Sequence, residues 1–209
     1  MKVAFIGFGE LGQQLYNFVC AQYEIDTPIL FDDNYEGSIG EVFPFKDFSD
    51  DKFADYSFFI GLGYKHLGTK LEILKTLSDL KRNLPNFIHP TSYVSSLATL
   101  GQGIYIYPMC NIDKEVIIRS GCLINNSVTI SHNASIYDCT YISPGVVLSG
   151  NVQIGKRVFV GTGSMFSNNV TIGDDVTIGI GTIVTKDVPN QVTVIGNPMQ
   201  ILNKKLNLL

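Results

Sequence analysis

Residues 119–142 read RSGCLI NNSVTI SHNASI YDCTYI, four blocks of six that each close on isoleucine. The pattern runs far beyond these blocks. Every sixth residue from Ile88 is apolar, through Val94, Leu100, Ile106, Ile112, Ile118, Ile124, Ile130, Ile136, Ile142, Leu148, Ile154, Val160, Phe166, Ile172 and Ile178 to Val184. Two residues before each, from Ser92 onward, the side chain is small or β-branched, with Ile104 the one larger aliphatic. A period of six is neither helical nor a simple alternation, and it defines a hexapeptide β-helix. Three hexads make one triangular coil, so residues n and n+18 stack about one strand spacing apart, ~4.8 Å. The span 88–184 holds roughly five and a half such coils. The large aliphatic fills the prism and the smaller residue packs beside it. Cys110 and Cys122 fall on the small interior position, where packing explains them. Cys139 is off that register. Gly101, Gly155, Gly161, Gly173 and Gly179 follow the large aliphatic, and corners with positive φ are the expected reason.

Residues 1–86 follow a different rule. Val3–Ile6, Pro28–Phe31 and Tyr56–Ile60 are short apolar runs suited to buried parallel strands. Helices are expected after Gly12, to about Ala21, and over His66–Arg82. This is a small βαβ-type α/β unit, Rossmann-like, preceding a β-helix domain over 87–209. Charged residues make up 16% of the chain and the formal charge is −4, which argues against a nucleic-acid surface. No apolar run approaches a membrane span, and no secretory pattern opens the chain, so the cytoplasm is the expected location. Four cysteines without a CxxC pair argue against a zinc ribbon.

A βαβ unit carrying GFGELG at 7–12, followed by an unbroken hexapeptide β-helix, resembles the bacterial nucleotide-sugar acyltransferases of the PglD/NeuD type. The resemblance covers essentially the whole chain. It implies a left-handed β-helix and a homotrimer. It also implies acetyl transfer from acetyl-CoA, without a metal, to the 4-amino group of a nucleotide-linked 4-amino-4,6-dideoxyhexose. Such products serve O-antigen, lipopolysaccharide or capsule assembly, or protein glycosylation. Asn125–Gly145 is similar to the family's active-site coil, which makes Asn125 a substrate-side candidate, and Gly196–Met199 is similar to its C-terminal loop.

The acetylation of an amine requires a base, a polarised thioester carbonyl and two substrates held together. His132 is the only histidine within the repeat body, and its place two residues after Ile130 directs it out of the prism. With an unperturbed pKa near ~6.5 it suits a general base. His66 and His89 have structural explanations. Eighteen residues beyond His132 stands Gly150, whose amide is placed to donate to the thioester oxygen, as the family's matching glycine does. Where the family usually has Glu or Asp after the histidine, this chain has Asn133, whose amide oxygen still accepts from the ring. Tyr141, often His in the family, either lines the substrate pocket or belongs to the trimer interface. Ser131 points away from His132, so direct attack by the amine is expected over an acyl-enzyme.

Gly7-x-Gly9-x-x-Gly12, with Asp32 twenty residues on, also fits a dinucleotide fingerprint. The resemblance assigns Gly7, Gly9 and Gly61 to the nucleotide, Asp32 and Asp33 to its base, and Lys65 to its phosphates. It assigns Gly150, Thr162, Gly179 and Ile180 to the pantetheine, and Gly196 and Pro198 to closure of that groove between neighbouring subunits, while the 18-residue step from Gly150 leads through Asn168 to Lys186, a candidate for a CoA phosphate. Ile201, Leu202, Leu206, Leu208 and Leu209 are expected to cover the open end of the prism. Two other readings stay open: an O-acetyltransferase acting on a sugar or serine hydroxyl, and a non-catalytic trimer that binds a nucleotide sugar. A nicotinamide dehydrogenase lacks a second substrate domain here. A γ-class carbonic anhydrase lacks its histidines.

Overall fold

The computed structural model describes residues 1–202, in two compact units that divide after Asn86.

In the first unit, β1 (Val3–Ile6), β2 (Ile29–Phe31), β3 (Glu41–Phe43) and β4 (Ser57–Ile60) form a fully parallel sheet of order β3-β2-β1-β4. Helix α1 (Glu10–Gln22) joins β1 to β2, and α2 (Leu67–Asp79) follows β4. Strands β1, β2 and β4 are buried along their whole length, as continuous apolar runs require when both faces are covered. Phe5 stacks on Phe59 at 5.2 Å between ring centres on one face of the sheet, and Phe31 on Phe58 at 6.4 Å on the other. Strand β3 and the 3₁₀ turns Phe45–Ser49 and Asp51–Phe53 carry no apolar periodicity and were not foreseen.

The second unit is a β-solenoid of about six turns. Its strands are two residues long and stack into three parallel sheets, with a terminal antiparallel hairpin of Thr193–Ile195 and Gln200–Leu202. The registers step by 18, as in Ile124 on Ile142 and Ile142 on Val160. Every large aliphatic position from Ile106 to Val184 is buried. Each fully buried aliphatic contributes roughly 1.5–3 kcal/mol. Ile88, Val94 and Leu100, in the first coil, are only partly covered. The polar small-position residues bond the corner carbonyls: Thr140 Oγ1 donates to Gly155 at 2.7 Å, and Thr182 Oγ1 to Gly179 at 2.8 Å. Nothing polar is thereby left unmet at those positions.

The corners correct one expectation. Every sixth residue from Gly103 to Gly181 has φ between 54° and 73°, but the glycines that follow the large aliphatic are not among them. Those glycines answer to crowding instead. A Cβ on Gly155 would lie 2.6 Å from the Gly173 backbone, and one on Gly161 would lie 2.7 Å from the Ile180 nitrogen. Cys139 now has its place: it occupies a corner, with φ 55°, and is fully buried. The step also changes near the end, where Thr177 pairs with Thr193 and Ile178 with Val194, a register of 16. Met199 and Ile201 pack against the core there, whereas Leu206, Leu208 and Leu209 lie outside the described residues.

Cys110, Cys122 and Cys139 are buried, Cys20 only half so, and burial pushes the Cys110 thiol up. A thiolate is the reacting form. An aromatic disulfide reagent is therefore expected to modify one thiol readily in the native protein and all four after denaturation. A time course of thiolate release checks this.

Candidate active site

His132 stands at the corner between strands Thr129–Ile130 and Ser135–Ile136, exposed as its register demands. Its ring lies over Gly150. A Cβ built on that glycine would fall 2.6 Å from the ring Cε1 and 2.8 Å from Nε2. The ring Nδ1 is 2.9 Å from the Asn133 Oδ1. The amide oxygen only accepts, so this contact places the ring proton on Nδ1 and leaves Nε2 with its lone pair. The Asn133 Nδ2 donates in turn to Glu115 Oε2 at 2.6 Å. Sequence reasoning missed Glu115. The signal was present, because 115 stands one coil step before 133.

The Gly150 amide is beside the ring, as the repeat spacing predicts, but it is engaged. It donates to the Asn168 Oδ1 at 2.9 Å. Such capping recurs along the solenoid, with Lys156 N donating to Asp174 and Asp174 N to Asn190, each at 2.8 Å. At Gly150 the cap is an exposed neutral amide, which a ligand carbonyl oxygen can replace without losing a hydrogen bond.

Of the other β-helix candidates, Lys186 follows Ile183–Val184 of the six-stranded sheet and shares the His132 edge, while the pantetheine candidates lie on a different one. Thr162, Gly179 and Ile180 follow strands Phe159–Val160 and Thr177–Ile178 of the eight-stranded sheet, whereas His132 and Gly150 follow strands of the six-stranded sheet. One chain therefore does not bring the two sets together. Ile180 is 73% exposed, Thr162 is exposed and Gly179 is buried. Lys186 is exposed in the corner where the register shortens, and Gly196 and Pro198 are exposed in the terminal turn. Asn125 and Tyr141 do meet: Asn125 Nδ2 donates to the Tyr141 hydroxyl at 3.0 Å, and each is 9% exposed in the single chain.

The first unit carries a cavity of about 480 Å³ at the carboxyl ends of β1, β2 and β4, where the strand order reverses. Gly7, Gly9, Asp32, Asp33, Gly61 and Lys65 all line it, together with the unforeseen Phe45 and His66. Gly7 has φ 79°, and a Cβ there would strike the Leu62 side chain. Cβ atoms on Gly12 and Gly61 would both collide with the Gly7 carbonyl oxygen, so three backbones meet where no side chain fits. Around Gly9 the space is open. Gly12→Ala is expected to destabilise this unit by about 1–3 kcal/mol through overpacking, measured by denaturant unfolding. The carboxylates are partly spent on the protein itself. Asp32 accepts from the Phe8 amide at 2.6 Å and the Asn34 amide at 2.8 Å, and Asp33 Oδ1 accepts from Phe45 N at 2.8 Å. Their first role is to shape the loops, a role that motif spacing does not reveal.

Among the described residues no group of three or more His, Cys, Asp or Glu is placed to hold a metal ion, and no helix is long and apolar enough to cross a membrane.

No family model matches the chain. Its structure superposes on the acetyltransferase domain of PglB from Neisseria gonorrhoeae with a TM-score of 0.89 and 28% identity, covering 96% of this chain and 99% of that one. The same domain is known in complex with acetyl coenzyme A. PerB from Caulobacter crescentus, in complex with CoA and GDP-perosamine, superposes with a TM-score of 0.85 and 26% identity over 97% of this chain and 98% of that one. The chain matches the nucleotide-sugar N-acetyltransferases of the left-handed hexapeptide β-helix type. That match places it among acyltransferases. Among curated proteins, a UDP-N-acetylglucosamine O-acyltransferase from Bartonella quintana is 44% identical over 43 residues, which is 21% of this chain and 16% of that protein. For these N-acetyltransferases the shared features extend over both units, whereas the O-acyltransferase match covers only a short stretch.

Proposed function

We propose that the protein transfers the acetyl group of acetyl-CoA to the 4-amino group of a nucleotide-linked 4-amino-4,6-dideoxyhexose, with His132 as general base. The observation that carries this reading is the His132 ring laid with its Cε1–Nε2 edge over Gly150 and its Nδ1 tied to Asn133. The amine nitrogen attacks the thioester carbonyl carbon, and the carbon–sulfur bond breaks. His132 Nε2 takes the amine proton and returns it to the departing thiolate. As charge develops on the carbonyl oxygen, that oxygen takes the place of Asn168 Oδ1 on the Gly150 amide.

The first unit is read as a Rossmann-like nucleotide-sugar domain. Its cavity lies at the strand-order reversal of a parallel sheet, the usual ligand position in such sheets. Gly9 opens α1 there, so first-turn amides face the cavity and favour a diphosphate. Lys65 adds the one Lys or Arg of the lining. Phe45 offers a flat apolar surface to the base.

The second unit holds acetyl-CoA along the edge that bears Thr162, Gly179 and Ile180, with Gly196 to Pro198 closing the groove and Lys186, on the His132 edge, near a phosphate. Because the Thr162 edge is not the His132 edge, a complete site takes one edge from each of two chains, which supports a homotrimer. A cytoplasmic enzyme supplying O-antigen or related glycan assembly fits this chemistry.

The test is thiol release from acetyl-CoA with UDP-, dTDP- and GDP-linked 4-amino-4,6-dideoxyhexoses. Turnover with one of these amines is expected. Turnover with hydroxyl acceptors alone would replace the reading by O-acylation, and binding without turnover would replace it by a non-catalytic trimer.

A further inference from the structure

We propose that Glu115 is a positioning residue for His132, acting from the preceding coil through the side-chain amide of Asn133. This rests on the reading of His132 as the base.

The contacts form a line. His132 Nδ1 is 2.9 Å from Asn133 Oδ1, and Asn133 Nδ2 donates to Glu115 Oε2 at 2.6 Å. A carboxamide by itself can present either end to a histidine. With the nitrogen turned to the ring, the proton would sit on Nε2, and the base would be lost. A carboxylate only accepts, so Glu115 holds the NH2 end and leaves only the oxygen for the ring. Orientation of the amide thus sets the tautomer of the histidine. The negative charge also polarises the amide, making Oδ1 a better acceptor as the ring gains its second proton. A carboxylate is in this way supplied to His132, although the residue after it is neutral.

The placement follows from the repeat. Glu115 and Asn133 are successive members of one corner column, with φ 58° and 62°. For glutamate the left-handed region is unfavourable relative to Gly or Asn. The column continues as Asn151 and Asn169, so a purely structural ladder of corner residues is the competing explanation. A ladder makes Glu115 matter for stability alone, and an exposed pair of this kind contributes little to that.

Glu115→Gln separates the two. Glutamine keeps the shape and can still accept from Asn133, but it can also donate, so the amide is free to reverse. The expected kcat falls about tenfold, less than where a triad acid directly bonds its histidine, with the KM for acetyl-CoA and the melting temperature unchanged. The second readout needs no turnover. Nitrogen NMR of the three histidines, with His132→Ala giving the assignment, is expected to show the Nδ1–H tautomer in the native protein and a mixture in Glu115→Gln. Combining Glu115→Gln with Asn133→Asp moves the single carboxylate next to the ring and is expected to recover most of the lost kcat. Asn133→Asp alone sets two carboxylates together and is expected to do worse than the double variant.

A ring that keeps the Nδ1–H tautomer in Glu115→Gln overturns the proposal, whatever the kinetics. So does a tautomer change that leaves kcat untouched. If the native protein turns over no acceptor at all, the proposed function fails, while the tautomer still decides whether Glu115 orients the ring.

Discussion

Replacing His132 by alanine is expected to lower kcat for acetyl transfer by about 10²–10⁴-fold, the range a positioned general base supplies. The ring is exposed at a solenoid corner and fills no part of the core. Melting temperature and oligomeric state should therefore stay as they are. Nucleotide affinity should also hold, because His132 is not among the residues that line the first unit's cavity. Steady-state thiol release with the accepted amine measures the loss. Full turnover in the variant would remove the base from the mechanism.

The second large effect belongs to a residue with no side chain. In Gly150→Ala the new methyl group would lie 2.6 Å from Cε1 and 2.8 Å from Nε2 of His132, inside any permissible contact. An exposed ring moves more easily than a corner backbone stacked between coils, so the ring gives way. Its 2.9 Å contact with Asn133 is then lost. A displacement of about 1 Å in a catalytic group costs on the order of 10²-fold in rate. The Gly150 N–H itself survives the substitution, so this variant separates ring placement from the amide. The readout is kcat, supported by the NMR tautomer of His132, which should lose its single form. Native kcat in Gly150→Ala would mean that the ring need not lie on this glycine.

Repeat positions could be read in the chain to the residue wherever the period of six holds, because stacking makes position 132 predict position 150. The same step taken backwards from Asn133 leads to Glu115, yet a carboxylate seventeen residues before the histidine has no local pattern to draw attention to it. Two features escaped for physical reasons. The corner glycines are set by backbone conformation at one position and by crowding from the next coil at another, and composition does not tell these apart. The register of 16 after Ile178 reflects a shortened corner between Val184 and Val188, where no core position signals the missing residues. In the first unit, β1, β2 and β4 were legible as buried apolar runs. Strand β3 is mostly exposed and three residues long, too short to show a period. Asp32 and Asp33 were legible as residues of the cavity but not as holders of the Phe8, Asn34 and Phe45 amides, since those contacts depend on how the loops fold back.

The central claim is that an amine is the acceptor, and the position of the acetyl group on the product tests it most directly. Acetyl-CoA labelled in its carbonyl carbon would be turned over with the accepted nucleotide sugar, and the product examined by carbon–nitrogen correlated NMR. An acetamide on the sugar's 4-nitrogen is the predicted result. An acetyl ester on a hydroxyl, with the amine left unmodified, would contradict it.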